Sequence, residues 1–248
     1  VLRYSSTTRG TGASLNLEDD SDTRCEGSLP AQIESATHAI ERLVPRGRAL
    51  GPSGRFEAQP IIPRDAWLEG LVNAVVHRSY SMAGDHVRVE IFPDRIEIAS
   101  PGRFPGLVDP ANLHDVSRHA RNPRIARSLA DLGITQELGE GIRRIFDEQR
   151  ARGLVDPTFT QTQSGVRLVL SAADALPAAI LATLPRGAID TLAVLRRAAR
   201  PLGTGQVEEL AGIARPTAIR HLRALEQAGV VVWEGQSPRD PRAAWRIA

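Results

Sequence analysis

The sequence contains no lysine: all 31 basic residues among its 248 are arginine. A Walker-type phosphate loop and a Schiff-base enzyme both depend on a lysine ammonium, so neither chemistry is open to this chain. Cysteine is nearly as scarce. Cys25 stands alone, which excludes an intrachain disulfide framework and a cysteine-built zinc site, and the fold must rest on packing. No apolar run approaches the roughly 18 residues needed to cross a bilayer, and no charged start with a short apolar run resembles a secretory leader. The expectation is a soluble, cytoplasmic protein without a membrane partner. The single methionine is Met82 and the chain opens at Val1 in mid-pattern, which reads as part of a longer protein.

What is present fits two ordinary domains, since 42% of the residues are apolar and the chain is long enough for real cores. The net charge of +2 says little. Where lysine is absent throughout, as a GC-rich coding sequence would produce, an arginine carries less evidence of phosphate binding than usual.

Residues 1–60 read as a tail: a short strand and polar loop in VLRYSSTTRGTG, then a helix. That helix starts at Ser28 and Pro30, carries Leu29, Ile33, Ala36, Ile40 and Leu43 at helical spacing, and stops at Pro45. The segment RGRALGPSGRFEAQ reads as linker or hairpin. From 61 to 172 the pattern is mixed. In VRVEIFPDRIEIAS, Val87, Val89 and Ile91 alternate, Pro93-Asp94 turns, and Ile96 and Ile98 alternate back, predicting a hairpin with one buried face. Asn122-Pro123 opens a helix that Gly133 closes, GIRRIFDEQRARG is another, and SGVRLVL is a final strand. The fold class expected is α+β, an α/β sandwich.

Inside this region LEGLVNAVVHRSY places Glu69, Asn73 and His77 four residues apart, in one sector of a helix whose other side holds Leu68, Leu71, Val72, Val75 and Val76. A solvated face and a site are both consistent with that spacing. Positions i and i+4 aim two side chains at one point, and an amide with water suits magnesium beside phosphates.

An alanine- and proline-rich stretch, ADALPAAILATLP, separates a third pattern at 187–248. Three helices and a hairpin in that order spell a winged helix-turn-helix. Thr204 is placed to cap the second helix, Gly212 to turn toward the third, and Pro216 to open it. Ile219, Leu222 and Leu225 are expected inward, leaving Thr217, Arg220 and His221 for a DNA groove, with Arg239 and Arg242 at the wing tip for phosphates. Here nine arginines face six acids, which favours a polyanion partner. Winged helices also serve as protein-binding modules.

RPTAIRHLRALEQAGVV resembles the recognition-helix region of ArsR- and MarR-type winged-helix regulators. LEGLVNAVVHRSY, IEIASPGRFP, RNPRIA and LGEGIRRI, in that order, resemble the GHKL-like ATPase-type domain of the "RecG-like" or "divergent AAA" family, which usually follows a Schlafen-type AlbA domain. The resemblance implies a remnant of that AlbA domain at 1–60, the GHKL-like domain at 61–172 and the winged helix at 187–248. It implies ATP and magnesium as cofactors, Asn73 as the magnesium ligand, Glu69 as the catalytic residue that activates water in hydrolysing members, and Gly102, Gly139 and Gly141 as cofactor-binding glycines. The adenine-reading Asp-x-Gly-x-Gly box of that superfamily is replaced by Ser100-Pro101-Gly102-Arg103-Phe104, so the expected acceptor for adenine is missing. His77 and Arg78 belong to the resembled motif and read equally as structural hydrogen-bonding groups.

Two functions follow as expectations. The first is a bacterial DNA-binding, transcription-regulator-like protein, a homodimer on double-stranded DNA with an altered GHKL-like domain that senses a nucleotide or small-molecule effector. The second is a magnesium-dependent ATPase of GHKL type with DNA as effector. A protein-interaction scaffold keeps the folds and neither ligand.

Overall fold

The computed structural model describes residues 1–12, 14–50, 55–104, 113, 120–135, 140–198, 200–235 and 243–248. They form two compact units, Val1–Ala175 and Leu176–Ala248.

The first unit begins with β1 (Leu2–Arg3) and a small hairpin of β2 (Gly10–Thr11) and β3 (Ser14–Leu15). The helix α1 (Leu29–Leu43) follows, with Pro30 in its first turn and Ile33, Ala36, Ala39, Ile40 and Leu43 buried. A ribbon of β4 (Arg46–Leu50) and β5 (Phe56–Pro60) leads into α2 (Arg64–Val76). The one-sided alternation read at 87–99 becomes β6 (Arg88–Ile91) and β7 (Arg95–Pro101), paired antiparallel with Val89 opposite Ile98 and Ile91 opposite Ile96. Then come α3 (Pro123–Asp131), α4 (Gly141–Ala151), β8 (Thr158–Gln161) and β9 (Gly165–Ser171). The main sheet has the order β1-β6-β7-β9-β8, with β1 parallel to β6 and every other pair antiparallel.

Helix α2 lies directly on this sheet. Gly70 allows it: a Cβ there would stand 2.7 Å from Leu168 and 3.0 Å from Ile98. With Ala66, Trp67, Leu71, Val72, Ala74, Val75 and Val76 also buried, α2 is covered on most of its circumference. Glu69 and Asn73 are left half-buried, as is Leu68, and Arg64 and Asp65 at the start of the helix are exposed. The tail expected at 1–60 is instead built into this unit. β1 extends the sheet, and Ile33, Ile40 and Leu43 of α1 share one core with α2. On the sheet's other face Glu90 and Glu97 are directly opposed across β6 and β7 and both buried, an arrangement that repels unless bridged. Arg9 bridges them, donating to Glu90 at 2.7 and 2.8 Å and to Glu97 at 2.8 Å, while Tyr4 stacks on Phe92 at 4.9 Å.

The second unit holds α5 (Ala178–Leu181), α6 (Ala188–Ala198), α7 (Thr204–Ala211), α8 (Arg215–Gln227), β10 (Val231–Glu234) and β11 (Ala244–Ile247). β10 and β11 pair antiparallel, and Leu202 adds a bridge to Trp245, giving the small sheet of a winged helix. Leu192, Leu195, Leu202, Val207, Leu222, Leu225, Val231 and Trp245 form its core. Gly212 makes the turn between α7 and α8 in the left-handed region, at φ 62°. Thr204 is the first residue of α7 and not its cap; its hydroxyl accepts a hydrogen bond from the Trp245 indole at 3.0 Å.

Candidate functional site

Glu69 and Asn73 stand one turn apart on α2 and touch: the Asn73 amide nitrogen donates to Glu69 Oε1 at 3.1 Å. The Asn73 side chain forms no hydrogen bond to backbone among the described residues, so it is not a core anchor of the helix. Both side chains meet the N-terminal end of α4. A Cβ at Gly141 would lie 2.0 Å from Glu69 Oε1 and 3.2 Å from Asn73 Nδ2, so only glycine fits with Glu69 in this place. Arg144, one turn into α4, approaches Glu69 at 3.7 Å. The carboxylate thus sits at the positive end of α4, where backbone N–H groups favour an anion. Burial pushes the Glu69 carboxyl above its usual range, and Arg144 and the Asn73 hydrogen bond pull it partly back.

The structure thereby brings together Glu69, Asn73 and Gly141. Gly139 lies outside the described residues. Gly102 follows β7 at φ 97°, against Ser79 and Arg121, at 2.6 and 3.4 Å from where its Cβ would be. Beside it the altered box is engaged in structure. The Ser100 hydroxyl donates to the Ala74 carbonyl at 2.8 Å, the Phe104 amide donates to Gln161 at 2.8 Å, and the Phe104 ring packs on Phe159 at 6.3 Å. The segment Ser100-Pro101-Gly102-Arg103-Phe104 carries no carboxylate side chain. Among the described residues no group of three or more His, Cys, Asp or Glu converges to hold a metal. The donors present suit magnesium only when it arrives with a phosphate ligand.

His77 and Arg78 serve the end of α2. Arg121 donates from its backbone to His77 Nδ1 at 3.4 Å and from its side chain to the His77 carbonyl at 2.9 Å. Asn122 donates to the Val76 and Arg78 carbonyls, both at 2.8 Å, satisfying the last orphan carbonyl of the helix and tying down the chain just beyond it. Arg78 holds the carbonyls of Met82 and Asp85 and lies over the Tyr80 ring. Burial, with the Arg121 charge adding, holds the His77 imidazole below its ordinary pKa.

In the second unit the phase of α8 corrects one expectation. Its buried side chains are Ala218, His221, Leu222 and Leu225, the i, i+3, i+4, i+7 pattern, whereas Ile219 is 41% exposed. His221 therefore faces inward and is no groove-reading residue. Its Nδ1 pairs with the Thr191 hydroxyl of α6 at 2.8 Å. Arg220 and Ile219 are exposed and Thr217 is half-buried. The phase set by Ala218, Leu222 and Leu225 carries the signal for Ile219, masked by the polarity of His221. Arg239 and Arg242 lie outside the described residues.

Residues 84–170 match the family described as "Putative ATP-dependent DNA helicase recG C-terminal", and residues 188–235 match "IclR helix-turn-helix domain". The order of the two domains is the one the motifs indicated, and the helix-turn-helix is of IclR type where the sequence resembled ArsR and MarR regulators; all three are winged. The first matched segment begins after α2, so Glu69 and Asn73 stand outside it. Among solved structures, the DIP2311 protein from Corynebacterium diphtheriae is similar over 100% of this chain and 51% of its own length, with 20% identity and a TM-score of 0.57. That likeness shows a shared fold, and the chain spans about half the length of that protein. ScpB from Mycobacterium tuberculosis aligns with 18% identity over 50% of this chain and 79% of its own, at a TM-score of 0.21 that supports no argument. No curated protein matches. The chain thus carries a segment similar to a RecG C-terminal-type ATPase domain, followed by one similar to an IclR-type helix-turn-helix. Among the described residues no helix is long and apolar enough to cross a membrane.

Proposed function

We propose that the chain is a DNA-binding regulator whose ATPase-type domain senses a phosphate-bearing ligand instead of running an ATP cycle. The observation that carries this reading is the meeting of Glu69, Asn73 and Gly141 at the start of α4, where an amide, a carboxylate and backbone N–H groups converge. The missing adenine-reading carboxylate and the engagement of Ser100 with α2 favour a ligand read through its phosphates and magnesium. In this reading 61–172 is the sensing module, to which 1–60, the end of an AlbA-type domain, adds β1 and α1, and 187–248 is the DNA-binding module. The chain acts as a cytoplasmic homodimer, and the effector changes DNA affinity through the spacing of two winged helices on their half-sites.

Calorimetric titration of the chain with magnesium plus ATP, GTP or inorganic triphosphate tests it. Similar affinities for all three, lost in Asn73→Ala, are expected. Binding of ATP alone would restore adenine recognition, and binding of none would remove the sensor.

A second reading, hydrolysis with Glu69 as general base, is favoured by the place of its carboxylate beside Asn73 and Arg144, where burial raises the carboxyl above its ordinary range, the direction that strengthens a base. Phosphate release that is abolished by Glu69→Gln, with ligand affinity kept, would select it.

A further inference from the structure

The ribbon of β4 and β5 pairs Arg46 with Pro60, Arg48 with Ala58 and Leu50 with Phe56, and joins no other sheet among the described residues. It is exposed from Arg46 to Arg48 and from Arg55 to Ala58, and the side chains of Arg46, Arg48, Arg55 and Phe56 stand outside the buried core. Its base is held by the Ile61 amide on the Pro45 carbonyl and by Arg152 on the Pro60 carbonyl, both at 3.0 Å. A two-stranded ribbon alone in water is marginal, so its persistence as a projecting element asks for an occupant.

Charge indicates which. Arginine abundance is uninformative in a chain without lysine, but arginine pairing is not. Elsewhere in the first unit Arg3 pairs with Glu18, Arg64 with Glu41, Arg95 with Glu97 and Arg150 with Asp156, while Arg24 and Arg42 make no ion pair among the described residues; the ribbon differs in gathering such arginines on one exposed element. On the ribbon Arg46, Arg48 and Arg55 make no ion pair among the described residues. Opposed residues share a face, so Arg46 and Arg48 line up with Ala58 and Phe56, and Phe56, 66% exposed, closes the far end of the paired register. A basic ribbon ending in a bare aromatic ring complements a polyanion with grooves: a ribbon of two strands fits a duplex groove, and apolar side chains at such ends wedge against base steps.

We propose that this ribbon is a second nucleic-acid contact, independent of α8, with Arg46, Arg48 and Arg55 on duplex phosphates and Phe56 as an apolar wedge. The test titrates the full chain with a random-sequence DNA duplex between about 50 and 200 mM salt. Changing all three arginines to alanine should reduce the slope of log affinity against log salt by about 2 to 3, and changing them to lysine should preserve it. Phe56→Ala should weaken binding about five-fold or more with the slope unchanged. Thermal melting reports whether each variant keeps its fold; should the triple variant unfold, Arg48→Gln carries the same test with a slope change of about 1. An unchanged slope in the alanine variant overturns the proposal, and an unchanged slope with a drop in sedimenting mass makes the ribbon an interface between copies of the chain. Loss of binding in the ribbon variant with none in Arg220→Ala would leave the ribbon standing and remove the winged helix as the DNA reader.

Discussion

Replacing Glu69 by glutamine removes a half-buried charge while leaving an oxygen to accept from Asn73. A carboxyl whose folded pKa is raised contributes stability below its unfolded pKa, and that contribution is lost as pH rises through the folded value. At neutral pH the ionised Glu69 therefore weakens the fold, with Arg144 at 3.7 Å offsetting part of the cost. Glu69→Gln should melt higher than the parent at about pH 7.5, and the gap should close toward pH 5; a lower melting temperature would mean that the Arg144 attraction outweighs burial. His221 runs the other way. Burial lowers its pKa, Arg220 adds to this, and the Arg186 backbone and Asp190 oppose it. A histidine with a depressed folded pKa contributes stability that is complete above its unfolded value, near 6.5, and is lost as pH falls toward the folded one. Melting of the second unit should therefore fall between about pH 7.5 and 5.5, with a weaker slope in His221→Leu. An identical slope in that variant would assign the acid sensitivity to other groups of that unit.

At the scale of elements, Arg9 from the β1–β2 loop is the guanidinium that joins Glu90 to Glu97, while Arg95 and Arg167 pair, of these two carboxylates, with Glu97 alone. Arg9→Ala leaves Glu90 and Glu97 opposed and buried, with Tyr4 still donating to Glu90 at 3.2 Å and Arg95 to Glu97 at 2.8 Å. Breaking a buried ion pair by removing one partner typically costs about 3 kcal/mol or more. Burial alone would raise the Glu90 carboxyl; the Arg9 hydrogen bond and charge bring it below the ordinary range. Without Arg9 the burial effect prevails, so part of the loss should be regained as pH falls and Glu90 takes up a proton, which urea unfolding at two pH values will measure. Elements whose signal is local were legible in the sequence: the alternation of β6 and β7, the caps of α1 and α3, and the turn at Gly212. Pairings between distant residues were not. Nothing in VLRYSS announces a strand parallel to β6, because that register is set by Leu2 meeting Glu90 and Arg3 meeting Ile91, far along the chain. β8 went unread because its burial pattern, with Thr158 and Thr160 exposed and Phe159 and Gln161 half-buried, offers one apolar position in four residues. In α8 the apolar Ile219 and polar His221 pointed to the wrong phase; the small Ala218 and the Thr191 hydroxyl let a histidine face α6. The candidate site was legible as a spacing, Glu69 to Asn73, but not as an encounter with Gly141, which needs α4 folded back against α2.

For the whole molecule, the two units have separate cores, and the segment similar to an IclR helix-turn-helix lies in the second. Arg220→Ala should cost about 1–3 kcal/mol on the preferred duplex and little on random sequence, because base edges supply selection and phosphates supply general affinity. Equal losses on both, measured at two salt concentrations, would make Arg220 a phosphate clamp. The first unit has a different whole-molecule property, and it follows from β1. The strand supplies the sheet's last rung beside β6, and the segment that carries it also delivers Arg9 to the buried carboxylates and Tyr4 to Phe92. A recombinant fragment started at residue 61, where the motifs begin, would strip all three away at once. The amides and carbonyls along β6 would then be an open template for the same strand of a neighbouring molecule, and such a fragment should elute as aggregates where a 1–175 fragment stays a single species.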